Sequence, residues 1–163
     1  MKKKFLIAAV IGIVGGAALH FLYDALPNPL TALVSPVNES AWEHLKLLFW
    51  PMLLTAFPLA RGTDDRYAFW GGIFAAELLM PLFLLGGFYL LQCGFWVYSL
   101  PLDNALYVVT MALGYLAAYW IFKSKKLERL AVWLLIPVIL YGASLILFTF
   151  AAPQLGVFLP PTE

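Results

Sequence analysis

The chain has 163 residues, 63% of them hydrophobic and 12% charged, with a formal net charge of +1. An ordinary soluble domain carries about 25% charged residues, so this composition excludes a water-soluble globular protein and indicates an integral membrane protein. The apolar runs are apolar all round and lack the period-two alternation of a membrane β-barrel, which leaves an all-α bundle.

Five segments, 5–26, 36–60, 67–91, 102–122 and 130–152, are each long enough to cross a bilayer as a helix. Short loops join them, so residues 1–163 read as a single transmembrane domain. The first segment follows Lys2-Lys3-Lys4, as a signal peptide would. Its apolar character continues past Gly16-Ala17-Ala18 to Leu26, longer than an h-region of about 7–15 residues, and it is read as a span. Pro27-Asn28-Pro29 ends it.

The second segment carries the polar octet Glu39-Ser40-Ala41-Trp42-Glu43-His44-Leu45-Lys46. The apolar run after it, 47–60, has 14 residues, whereas a helix needs roughly 20 to cross a hydrocarbon core of about 30 Å. The octet is therefore expected within the membrane, where an ionisable residue costs roughly 2.5–3.5 kcal/mol and usually faces a bundle interior or a wet cavity. Ser35 and Pro36 suit an N-cap and first helical position. Counting from Pro36 at 1.5 Å per residue, Glu39 lies about 5 Å deep, Glu43 about 10 Å and Lys46 about 15 Å. In the first segment, His20 lies about 9 Å and Asp24 about 3 Å from the end at Leu26. His20 with Asp24, and Glu39 with Glu43, are four apart and share a helix face. Two His and three carboxylates, His20, Asp24, Glu39, Glu43 and His44, are thus expected to meet in the outer half of the bundle. That set suits zinc or a similar divalent ion. Asn38, Glu39, Ser40, Trp42, Lys46 and Glu77 are expected to line the same pocket toward a ligand.

Glu77 sits about 15 Å into the third segment, level with Lys46, and a Lys46–Glu77 ion pair is expected at the midplane. Pro51, Pro58 and Pro81 are expected to break their helices. Gly12 with Gly16, Gly72 with Ala76, and Gly114 with Ala118 form small-residue stripes for close helix packing. The third loop, 92–104, holds Phe95, Trp96 and Tyr98 and reads as an interfacial aromatic belt; Cys93, the lone cysteine, reads as an apolar filler. Nine of the ten Lys and Arg residues lie at the N-terminus, the second loop and the fourth loop. With Asp64, Asp65 and Glu128 they give that side a formal charge of +6 and leave −5 on the rest. The positive-inside rule makes that side cytoplasmic, with the C-terminus outside.

Three functions compete on these residues. An outward-facing pocket that binds a metal ion or small polar ligand, in sensing or transport, is the leading one. Metal-dependent hydrolysis of a lipid or peptide bond is the second, with a carboxylate as base on metal-bound water. No HExxH, GxSxG or phosphate-binding loop supports it. The third is a polar plug without a ligand, in a protein that serves as a membrane partner subunit. The expected partners are membrane lipids, a metal ion or small polar ligand and a second copy of the chain, which a five-span transporter would need; nucleic acid is not among them.

The run Ser35-Pro36-Val37-Asn38-Glu39-Ser40-Ala41-Trp42-Glu43-His44-Leu45-Lys46-Leu47, preceded by His20-Phe21-Leu22-Tyr23-Asp24, resembles an uncharacterised family of small multi-pass membrane proteins of bacteria. The resemblance implies a bacterial cytoplasmic membrane location and brings no activity with it. A looser similarity, in span number, size and aromatic richness, is to the tryptophan-rich sensory or translocator proteins that bind porphyrins. It rests on 128–137, and their paired-proline tryptophan motif is absent.

Overall fold

The computed structural model describes residues 1–160; Glu163, one of the outer charges, lies outside the described residues. The elements, in chain order, are α1 (Lys2–His20), α2 (Leu22–Ala25), α3 (Pro29–Ala32), α4 (Ala41–His44), α5 (Lys46–Ala60), α6 (Arg66–Tyr89), α7 (Leu100–Ser124) and α8 (Ala131–Phe150). A π turn extends α6 to Gly94, and single 3-10 turns occupy Glu128–Leu130 and Gly156–Phe158. The described residues contain no strand.

Four helical stretches, Lys2–His20, Arg66–Gly94, Leu100–Ser124 and Glu128–Phe150, are long and apolar enough to cross a membrane. Their outward faces are covered with large apolar side chains, such as Leu6, Val10 and Val14 on α1 and Val132, Trp133, Ile136 and Leu140 on α8. α5 is shorter, with 15 residues, and lies deeper, burying Leu47, Leu48, Phe49, Met52 and Ala56 between α1 and α6. α6 is the hub and packs on α5, α7 and α8, while α1 closes the bundle against α5 and α7.

Several expected boundaries shift, each for a local reason. The first helix is interrupted at Phe21 because the Ser35 hydroxyl enters its ladder, accepting from Tyr23 N at 3.0 Å and donating to Leu19 O at 2.6 Å. In an unbroken helix those two backbone groups would bond each other; an inserted side chain bends the chain there. Ser35 is therefore not the N-cap of the second helix. Asn28 caps α3 instead, and residues 36–40 run as irregular chain until Ser40, whose Oγ accepts from Glu43 N at 3.3 Å and starts α4. The prolines do not break their helices: Pro51 and Pro58 lie inside α5, and Pro81 inside α6. Pro51 has no N–H for Leu47 O, and α1 packs over that carbonyl at Gly16, where a Cβ would stand 2.6 Å from it.

The small-residue stripes face partners within the chain. Gly12 and Gly16 receive the phenol ends of Tyr115 and Tyr107, and Gly114 receives Met80. Gly72 meets the α7 backbone, where an added Cβ would lie 2.5 Å from Ala118 O and 3.1 Å from Phe122 N. Backbone cannot rotate aside as a side chain can. Gly72→Ala is expected to destabilise the bundle by about 1–2 kcal/mol through overpacking. Gly15→Ala, with nothing within 4 Å of the new carbon, should be neutral or slightly stabilising. Equal unfolding midpoints for the two variants in detergent would contradict the close α6–α7 approach.

The basic regions gather at one end. Lys4 Nζ lies against Gly62, and Lys125 pairs with Asp65, which raises the Lys125 ammonium above its usual value through its hydrogen bond and charge. Phe5, Phe69 and Phe122 pack together near that end, with ring centroids 5.9–6.1 Å apart. Phe95, Trp96 and Tyr98 are exposed, as a belt at the membrane surface would be, and Cys93 is exposed as well.

Candidate metal centre

At the end opposite the basic loops the polar octet divides into two halves with different chemistry. The first half is closed. Lys46, fully buried, donates from Nζ to Glu43 Oε2 at 2.6 Å, Ala32 O at 2.8 Å and Ser35 O at 3.2 Å. An ammonium has three N–H donors, so each has a partner. Glu43, 2% exposed, is equally well held: Oε2 also accepts from Val37 N at 2.9 Å, and Oε1 accepts from Thr149 Oγ1 at 3.0 Å. This network ties the 27–40 connection to α4, α5 and α8. With Trp50 Nε1 donating to Leu33 O at 3.0 Å, it sets the path of the connection.

The expected Lys46–Glu77 contact does not form, because the ammonium uses its donors on Glu43 and on carbonyls of the returning connection. The spacing Glu43-x-x-Lys46 puts the two on one helix face, a local signal that outweighs the midplane argument. Glu77 is instead fully buried on α6 with neither carboxylate oxygen hydrogen-bonded. It lies within electrostatic reach of Tyr115 and Tyr141, and the Tyr141 hydroxyl is also without a partner. Asp24, exposed on α2 beyond the interruption at Phe21, stands outside the cluster that His20 joins. Glu39 and Glu43 do not share a helix face, since Glu39 precedes α4. Asn38 Oδ1 accepts from Ser40 N at 2.9 Å and shapes the turn that presents Glu39. Trp42 packs its ring on Phe148 and Phe158 at 5.5 and 4.9 Å and so anchors α4. Thr149 carries no sequence signal; only the packing of α8 brings it to Glu43.

The second half is open. His44 Nε2 lies 3.4 Å and His20 Nε2 3.9 Å from Glu39 Oε2, and the two imidazoles meet edge to face with centroids 5.1 Å apart. One ligand atom from each of His20, Glu39 and His44 falls within 4.8 Å of the others. His44 Nδ1 sits 2.8 Å from Ser40 O. A carbonyl only accepts, so Nδ1 carries the proton in the neutral ring and the Nε2 lone pair is left toward Glu39 and His20. Metal-binding histidines are commonly oriented in this way, by an N–H bond to a backbone carbonyl. Zinc bonds of about 2.0–2.1 Å in a tetrahedral site put neighbouring ligand atoms about 3.4 Å apart. The His44–Glu39 separation already has that value, and the 65% exposed Glu39 carboxylate is free to adjust toward His20. The residues fit a borderline divalent ion.

The fold and this cluster together define an all-helical protein with four helices able to cross a membrane and a His–Glu–His group at the mouth of the bundle. The chain belongs to a family of unknown function, DUF6512, whose model matches residues 1–162. No curated protein and no solved structure matches it, and the looser likeness to the porphyrin-binding proteins gains no support from these comparisons.

Proposed function

We propose that the protein is an integral membrane protein of five crossings, α1, α4 with α5, α6, α7 and α8. Its basic end is cytoplasmic, and His20, Glu39 and His44 bind a divalent transition metal such as zinc at the outer face, for sensing or transport. α4 through α5, from Ala41 to Ala60, extends about 30 Å at 1.5 Å per residue, which supports a fifth crossing. The positive-inside rule supports the orientation. The observation that carries the metal reading is the convergence of two imidazole Nε2 atoms on one carboxylate, with His44 held through Nδ1 by Ser40 O. The Glu43–Lys46 half matches the structural-plug reading, so that reading is retained for that half alone. Three protein ligands with one position open is also the ligand number of catalytic zinc sites, which keeps hydrolysis as the second reading.

Purified wild-type protein should carry one zinc per chain by elemental analysis, and His44→Ala should weaken binding by more than about 100-fold, since even an orienting partner is worth about 10–100-fold. No stoichiometric metal in any wild-type preparation would overturn the proposal. Zinc flux into vesicles that His20→Ala abolishes would assign transport, and binding without flux would assign sensing. Turnover of a lipid or peptide library would favour hydrolysis.

A further inference from the structure

Glu77 stands deep inside α6, 0% exposed, with both carboxyl oxygens buried and without a hydrogen bond among the described residues. The structural roles open to a buried carboxyl in a membrane helix fail here in turn. It has no ion pair: Lys46 is taken by Glu43, Lys125 by Asp65, and no cation of the described residues lies within 4.0 Å of it. It caps no helix end, and since it accepts from no N–H or O–H it clamps no neighbouring chain. The elements packed on α6 are α5, α7, α8 and the 3-10 turn Glu128–Leu130. Tyr115 of α7 and Tyr141 of α8 are the titratable groups that face it, and both are phenols that are neutral at pH 7. Tyr115 spends its hydroxyl on Thr55 Oγ1 of α5 at 2.5 Å, while the Tyr141 hydroxyl is buried without a partner. Lys46 is the one charged residue of α5. The 3-10 turn follows Leu127, whose carbonyl meets α6 at Gly71, about 9 Å along the axis toward the basic end, so Glu128 and Arg129 stand away from Glu77.

We propose that Glu77 is a proton-binding site within the membrane, a carboxylic acid that holds its proton in the closed bundle and exchanges it with water. The site uses no residue of the His–Glu–His centre and stands apart from the metal reading. A carboxylate removed from water has lost its solvation, and here it gains neither a countercharge nor a hydrogen bond in return; such a group takes up a proton rather than staying charged. A metal ion is a poorer occupant, because it is held by several donor atoms. Among the described residues the one convergence of three or more imidazole, thiol or carboxylate ligands is His20, Glu39 and His44, and Glu77 has no second ligand of those kinds beside it. Zero exposure also leaves no room for a water-sized sphere against the side chain, so a hydrated ion does not fit. A proton needs neither a shell of donors nor a cavity. Its release leaves a charge that the closed packing cannot solvate, so exchange requires the helices around α6 to admit water. Buried acids in membrane helices that work in this way form the proton relays of pumps and transporters.

The test is the infrared spectrum of the full-length protein in lipid vesicles at neutral pH, for wild type, Glu77→Gln and Glu77→Leu. Wild type should show the carbonyl stretch of a protonated carboxyl group that is free of hydrogen bonds, and both variants should lose that band. Deuterated buffer should shift the band in wild type as the exchanging proton is replaced. Glu77→Gln has the shape of a neutral acid and is expected to fold; Glu77→Leu, which removes the polar atoms altogether, supplies the same comparison independently. Wild-type and variant spectra that agree in this region would mean that Glu77 is ionised and would overturn the proposal. A band lost in both variants but unmoved by deuterated buffer would overturn the exchange and leave Glu77 with a locked proton. Zinc content is expected to be equal in all three proteins, and the infrared result is read in the same way whether or not the metal centre is filled.

Discussion

Lys46→Met should destabilise the folded protein by about 3–5 kcal/mol, the cost of breaking a buried ion pair by removing one partner. The substitution leaves the Glu43 carboxylate, 2% exposed, without its cation and leaves Ala32 O and Ser35 O without their donor. Glu43→Leu combined with Lys46→Met should restore most of the loss, because an apolar pair of similar volume avoids the desolvation of both charges. Unfolding in detergent by a denaturant titration reads all three proteins on one scale. A Lys46→Met protein within about 1 kcal/mol of wild type would show that the pair does not clamp the 27–40 connection. The same variant should also weaken zinc binding, although Lys46 lies outside the metal cluster. Glu39 sits on the chain that the clamp holds, so loosening it lets the carboxylate drift from the two histidines.

Glu77→Leu should act in the opposite direction and stabilise the protein by about 2–3 kcal/mol. Both Glu77 oxygens are buried without a hydrogen bond, and an unsatisfied buried polar group costs about 1–3 kcal/mol, more when charged. Leucine removes that cost at similar volume. Glu77→Gln keeps polar atoms in the same place and should change stability little. A loss of more than about 1 kcal/mol in Glu77→Leu would mean that the carboxyl has a partner in the folded protein and would refute its being unsatisfied. A stability gain together with lost metal flux would identify Glu77 as a group retained for activity at the expense of stability.

The extents of the long helices were legible from hydropathy. The expected segments 67–91, 102–122 and 130–152 fall within a few residues of α6, α7 and α8. Hydropathy sums over neighbouring residues, and burying an apolar run in lipid or in a bundle needs no particular partner. The octet was legible as a polar site for the same reason, since its charges interrupt an apolar run. The pairings inside it were legible only in part. Of the five residues expected to meet, His20, Glu39 and His44 come together, whereas Asp24 stands outside and Glu43 is taken up by Lys46, which turns to it instead of Glu77.

These misses have one physical source. The sequence by itself determined an all-helical, strongly apolar chain with its basic residues segregated and a charged motif set at one helix entry, because those properties depend on composition and local spacing. Tertiary structure alone decided that the Ser35 hydroxyl enters the ladder of α1, that chain 36–40 stays irregular and that Lys46 spends its donors on the carbonyls of the returning connection. A buried charge takes the partner that the path of the chain brings within about 3 Å, the reach of a hydrogen bond, and that path is a property of the packed bundle.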